Sequence, residues 1–444
     1  GALAAGAVTG TSFNGIPFFS ADTSSIYTTD VSGTDDTATG NSAYGYQAMD
    51  AITTGDSNSA FGHDALGANT TGANNTAVGK SAMLVNTTGA ENVALGFAAL
   101  DANTTGNQNV ALGRSALTAN TTASDNIAVG YGAMDSNTTG TRNIAIGNAA
   151  YDHSDTENDN MAIGYQAMTA NTAGGTYNIA IGNYALDALT SGDYNIVVGG
   201  GAGTAINTGS DNTIYGYLAG NALTSGSDNV ALGSTSLYTA TTTSGNTAVG
   251  SNALKLTTGD SNTAIGRQAM EDNSTGSNNV AVGMEAMLQN TTGGDNTAIG
   301  YGSLENNTTG TSNVAVGRDA LEATTGNANV GVGYQAGKAN TSGQIIAIGY
   351  QTMQSNTTGT RNIAIGGNAY DSSDTENDNL AIGHNAMTAN TAGGTKNVAI
   401  GNYSLDVLTS GDDNVAVGYI SLSANTTGSN NTALGSWSLT ANTT

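Results

Sequence analysis

The chain is 444 residues long, and its 34 acidic residues against 9 basic ones leave a net charge of −25. That balance excludes nucleic acid and anionic membrane surfaces as partners, because both are recognised by a cationic face. Cysteine is absent, which removes disulfides, thiolate metal sites and thiol nucleophiles, and no run of 18 apolar residues is present to cross a bilayer as a helix.

Residues 1–40 stand outside any repeat and hold the only proline, in Ile16-Pro17-Phe18-Phe19. A solenoid needs its open end covered, so this segment is expected to be a cap or a joining segment. From Asn41 a pattern of Asn, any residue, Ala, an apolar residue and Gly returns every 17 residues, closing at Gly45, Gly62, Gly79 and so on to Gly418 and Gly435, in 24 copies. A short period of this kind predicts an all-β fold, a parallel β-solenoid or β-roll of about 24 coils of 17 residues over 41–444. The expected form is a rod, and the chain stops inside a turn at Thr444, so something else is expected to cover that edge.

Numbering each coil from its Asn, a typical copy is Asn75-Thr-Ala-Val-Gly79-Lys-Ser-Ala-Met-Leu-Val-Asn86-Thr-Thr-Gly89-Ala-Glu91. Alternation puts positions 2 and 4 on one face of a short strand and Asn, Ala and Gly at 1, 3 and 5 on the other. The bulky pair is expected to point inward. Ala at 3 and Gly at 5 would then form a smooth outer stripe, along which another chain approaches closely. Position 8 is small and position 9 is Leu or Met in most copies, which predicts a second short strand after a bend at the glycine. Asn-Thr-Thr-Gly turns the chain back. Coils of 18 residues end at Gly182 and Gly401, and coils of 16 at Gly266, Gly333 and Gly349. In each the change falls between position 9 and the next Asn, where a turn absorbs it without slipping the strand.

The Asn at position 1, as in Asn75, Asn92, Asn109, Asn126, Asn143 and Asn160, is read as a structural ladder of amides bonding from coil to coil; Ile345 is the exception. A second Asn at position 12, as in Asn69, Asn86 and Asn103, reads as a turn former, and several of these are Asn-x-Thr glycosylation acceptors. Residues 138–199 return as 357–418 with 49 of 62 positions identical, so the chain has grown by copying blocks of coils, as suits a spacer.

Catalytic chemistry is not expected. His63, His153 and His384 lie in separate coils without metal spacing, no Ser-His-Asp or HExxH arrangement is supported, and the Gly-Lys-Ser at Gly79-Lys80-Ser81 has Asn74 where a phosphate loop needs its first glycine. Neither a catalytic residue nor a cofactor site is assigned. The one metal candidate is calcium at Asp155, Glu157 and Asp159 and at Asp374, Glu376 and Asp378, where carboxylates alternate within a turn and hard cations want several oxygens; the alternative is a solvated acidic loop. Tyrosine follows the repeat glycine at Tyr46, Tyr131, Tyr165, Tyr217, Tyr301, Tyr334, Tyr350 and Tyr419, either packing between coils or subunits or offering rings to sugars.

On these residues the repeats resemble the head repeats of YadA-like trimeric autotransporter adhesins, through Asn143-Ile-Ala-Ile-Gly147 and Asn178-Ile-Ala-Ile-Gly182, and more closely the Thr-Ala-[Val/Ile]-Gly-Tyr-x-Ala-[Leu/Met]-x-x-Asn-Thr-Thr-Gly repeats of phage tail-fibre-like proteins. The resemblance implies a homotrimeric, left-handed β-roll projecting from a virion or a cell surface and touching a host receptor or glycan. Two departures stand out: the repeat is longer than the usual adhesin-head coil, and neither a membrane-anchor barrel nor a chaperone domain is recognisable. The rival expectations are a bacterial adhesin head or extracellular matrix filament assembling end to end, and an ice- or carbohydrate-binding solenoid using the Thr rows.

Overall fold

The computed structural model describes residues 12–13, 16–17, 26–27, 37–391 and 393–443, and these contain strands and turns but no helix. Most of the expected cap, 1–40, and Thr444 lie outside the described residues. The chain forms two compact units, Gly1–Asn212 and Thr213–Thr444. In the first, Ser12–Phe13 pairs antiparallel with Ile16–Pro17. Ile26–Tyr27 then pairs parallel with Ser42–Tyr44, one rung before the repeat begins. The ladder runs on through ten three-residue strands, ending at Ile196–Val198. The second unit holds fourteen more, Thr213–Tyr215 to Thr432–Leu434. Within each unit equal positions pair in register, as Ala77 with Ala94 and Ala94 with Ala111. This is a parallel β-solenoid with a 17-residue coil.

The expected facing of the strand is inverted. Ala at position 3 is buried in every described strand of the repeat but three: Val197 and Ile214 fill the same place, and Gly331 replaces it once. The bulky positions 2 and 4 face outward, with Ile146 38 % and Ile299 42 % exposed. The coil is too narrow to hold two branched side chains from one strand. Its interior is filled by Ala at 3 and 8, Leu or Met at 9, and the asparagines, as Ala77, Ala82, Met83, Asn75 and Asn86 illustrate. The smooth stripe expected outside is therefore the lining of the core.

The second strand is also absent from the described residues. After the glycine the backbone makes successive turns, with Ala82 N–H donating to Gly79 O at 3.4 Å and Asn86 N–H to Met83 O at 3.3 Å. Positions 7 and 9 take left-handed conformations, as in Ser81 (φ 57°) and Met83 (φ 51°), a region that branched or bulky residues rarely visit. These turns are still tied to their neighbours. Met83 N–H donates to Ala99 O at 3.0 Å, Val85 to Asp101 at 3.0 Å and Thr87 to Thr104 at 3.0 Å, while Ser81 reaches back to His63 at 2.9 Å. Hydrogen bonds to the coils before and after thus continue around the circumference, which meets the backbone's demand for partners without a second sheet.

The repeat glycine is fixed twice over. Gly113 has φ 139°, and a Cβ there would overlap the carbonyl of Gly130 in the next coil. The extra residue of the 18-residue coils falls in the turn after position 12. Gly174 and Gly393, at φ 106° and 107°, sit where an added Cβ would meet nothing, so the strands keep their register across the insertion.

Candidate functional site

Three sets of side chains run from coil to coil, and together they define what the surface can do. The innermost is the position-1 amide column. Asn75, Asn92, Asn109, Asn126, Asn143 and Asn160 lie in one buried line. Asn92 Nδ2 donates to Asn75 Oδ1 at 3.2 Å and to Gly106 O at 2.9 Å. Asn92 Oδ1 in turn accepts the Asn109 backbone N–H at 2.9 Å and its Nδ2 at 3.1 Å. The line continues through Asn126, Asn143 and Asn160, whose backbone N–H groups donate to the preceding Oδ1 at 3.1, 2.9 and 2.9 Å. The position-12 asparagines form a second buried ladder, with Asn86 Nδ2 donating to Asn69 Oδ1 at 2.9 Å and closing its own turn on Gly89 O at 2.9 Å. The nitrogen to which a glycan would attach is therefore inside the core.

The carboxylates of the calcium candidate do not converge. Glu157 points inward and is 2 % exposed. Its oxygens accept backbone N–H bonds from Asp155 at 3.1 Å, Thr156 at 3.2 Å and Gly174 at 3.1 Å. Asp159 points outward into a two-bond clasp from Arg142 at 2.6 and 2.7 Å, which holds its carboxyl below the usual range. Glu376 and Asp378 repeat the arrangement with Gly393 and Arg361. Asp155 and Asp374 are exposed, and no grouping of three metal-ligating side chains occurs among the described residues.

The eight tyrosines after the repeat glycine are all exposed, and several pack along the stack. Tyr334 lies over Tyr350 at 5.3 Å and 15°, Arg114 lies between Phe97 and Tyr131 at 5.6 and 5.7 Å, and Tyr419 meets Trp437 edge-on at 5.6 Å. In stacked pairs such as Tyr334 and Tyr350 the ring faces are turned toward each other. The histidines remain in separate coils, His63 beside Asp64 at 2.6 Å and His153 beside Asp152 at 2.7 Å.

Acids at position 10 are half-buried. Desolvation raises the carboxyl pKa of Asp50, Asp101, Asp152, Asp187, Asp371 and Asp406 above the ordinary 3.8. Because the folded chain holds these protons more tightly than the unfolded one, stability rises as pH falls through the raised values, and the gain is complete below about 3.8. Asp159 and Asp378 act oppositely, losing their contribution as pH falls through their lowered values, but their ion pairs are exposed and weak. The melting temperature is expected to be higher at pH 4.5 than at pH 7. Thermal unfolding followed by circular dichroism checks this, and a melting point that falls steadily on acidification contradicts it.

What sequence reasoning missed is the outer face of the sheet. Positions 2 and 4 carry no charged residue in any coil, although the chain as a whole is strongly acidic. In the first unit Ile127, Ile146 and Ile196, and in the second Ile265, Ile299, Val314 and Ile348, are each more than a third exposed. The signal was available: side chains at position 2 range from Ser to Met and at position 4 from Val to Tyr, a spread that a packed interior does not tolerate. No protein-family model matches the chain, and no curated protein matches it, so its fold and surface carry the functional reading alone.

Proposed function

We propose that the protein is the repeated shaft of a non-enzymatic, homo-oligomeric fibre, a left-handed homotrimer belonging to a phage tail fibre or a similar receptor-contacting surface fibre. The observation that carries this reading is the pair of uncharged columns on the outer face of the sheet, apolar or aromatic at position 4 in every coil and apolar at position 2 in 16 of 24. With roughly a third of each side chain exposed at two positions per coil, ten coils leave on the order of 1,000 Å² of apolar surface, against about 800 Å² per partner in a standard interface and a few hundred on a typical monomer. The columns repeat at the step of the coil, so a second copy of this chain in parallel matches them rung for rung. The acidic residues lie off this face, where they keep assembled fibres apart. The Thr rows support an ice-binding reading less well, because the position-13 hydroxyls are spent inside the stack, Thr70 Oγ1 donating to Thr87 O at 3.0 Å and Thr87 Oγ1 to Thr104 O at 3.0 Å.

The test is the native mass of the purified full chain, with Ile265→Glu and Ile299→Glu introduced together. These side chains are outward-facing, so the coil itself should survive the exchange. The wild type is expected at three chains per particle, and the double variant at one, with an unchanged circular dichroism spectrum. A wild-type monomer ends the proposal.

A further inference from the structure

Two coils depart from the repeat at the same three positions, and each is followed by a coil one residue too long. In coil 143–159 position 9 is Tyr151, position 12 is Ser154 and position 15 is Glu157, where the typical coil has Leu or Met, Asn and Gly. Coil 160–177 carries the extra glycine, in Asn171-Thr-Ala-Gly174-Gly175. The combination returns as Tyr370, Ser373 and Glu376, followed by Gly393-Gly394. Both lie within the duplicated block, where 13 of 62 positions have since diverged and none of these has.

The geometry shows why the changes belong together. In an ordinary coil position 15 is crowded: a Cβ built on Gly89 meets Asn86 Oδ1 of its own turn and Gly106 O of the next coil, and beside a position-12 Asn no 17-residue coil carries anything there larger than Ala123. Ser154 lacks the amide and so removes the first obstacle. The lengthened turn above presents an N–H instead, and Glu157 Oε1 accepts it from Gly174 at 3.1 Å. With Ser154 in place the position-12 ladder has lost an acceptor. The buried Tyr151 hydroxyl supplies it, accepting from Asn171 Nδ2 at 3.1 Å and from Asn160 Nδ2 at 2.7 Å. The second copy has the same bonds, Gly393 N–H to Glu376 at 3.0 Å and Asn379 and Asn390 Nδ2 to the Tyr370 hydroxyl at 2.6 and 3.3 Å. A buried carboxylate holding three backbone N–H groups is a strong, charge-assisted anchor.

We propose that each pair of coils is an obligate joint, in which the carboxylate of Glu157 or Glu376 is an internal anion that fixes the lengthened turn, and Tyr151 or Tyr370 replaces the missing rung of the amide ladder. The extra residue is viable only above such a coil. It follows that Tyr, Ser, Glu and the inserted glycine must be exchanged as one set.

The experiment is a cycle of variants in the full chain, read by amide hydrogen exchange over residues 169–178, with the untouched second joint at 388–397 reporting that the rest is folded. One arm converts the lower coil to the standard repeat, Tyr151→Leu with Ser154→Asn and Glu157→Gly. The other deletes Gly174. Each arm alone is expected to speed local exchange roughly tenfold or more, the loss of a charge-assisted bond. The combination, which rebuilds two ordinary 17-residue coils, is expected to return exchange to near the wild-type rate. Additive damage in the combination, or a wild-type rate in the first arm, overturns the proposal. Where the first arm does not fold, Glu157→Gln serves: faster exchange at Gly174 supports the joint, and an unchanged rate overturns it.

Discussion

Alanine at Gly113 is expected to break the stack at that coil. Gly113 sits at φ 139°, outside the range of any residue with a side chain, and its missing Cβ leaves the space taken by the Gly130 carbonyl. Neither side can yield. Gly130 N–H is bonded to Leu112 O at 2.8 Å, and Gly113 N–H to Leu95 O at 2.8 Å, so moving the next coil away breaks the sheet itself. Strain and overlap together should cost more than about 3 kcal/mol. In a solenoid such a loss stays local, because each coil touches only its neighbours. The expected readout is a new protease cut between residues 106 and 130 with a lowered first unfolding transition. A variant that unfolds with the wild-type profile would show that the glycine column does not set the coil spacing.

Leucine at Asn92 keeps the volume and removes every bond the amide makes. The buried Asn109 N–H loses its acceptor, while Gly106 O keeps only Asn103 Nδ2 as donor and Asn109 Nδ2 keeps only Ala123 O as acceptor. An unsatisfied buried group of this kind costs about 1–3 kcal/mol, so a loss of that order is expected. Aspartate should be worse at neutral pH, because it sets a charge against Asn75 Oδ1 and Gly106 O. Its buried carboxyl has a raised pKa, so the deficit relative to leucine should shrink as pH falls and the protonated acid donates again. Thermal unfolding of both variants at pH 7 and pH 4 separates these effects, and an Asn92→Asp chain as stable as wild type at pH 7 would refute the donor role. The chain carries its own precedent in Ile345, which is buried at this position and still donates its N–H to Asn329 Oδ1 at 3.1 Å. One apolar rung is survivable, whereas a run of them would not be.

The period, the parallel register and the turn location of every length change could be read from the residues, because a 17-residue recurrence leaves few ways to stack. Which face was inside could not be taken from alternation alone. Period two says that Ala77 and Asn75 share a face; it does not say which face the coil encloses. The usual preference for bulky residues inside failed at Thr76 and Val78 because the coil is too narrow for them. The turns around Met83 escaped for another reason. A left-handed Leu or Met has no local signature, since only the backbone bonds to neighbouring coils hold it there. The spacing of the Asp, Glu and Asp around Glu157 gives no sign of direction, and in the structure Glu157 turns inward while Asp159 turns out to Arg142.

The bonds between one coil and the next are nearly the same at each step within a unit: an amide column, a glycine column and the same backbone pairs. An ordinary coil can therefore be gained or lost anywhere without presenting its neighbours with a new surface. Unequal recombination between repeats would yield foldable chains of many lengths, so reach is a trait that can drift quickly while the fold stays constant. The Tyr, Ser, Glu coil is the exception to this freedom, and a recombination point that separated it from the coil above would be eliminated.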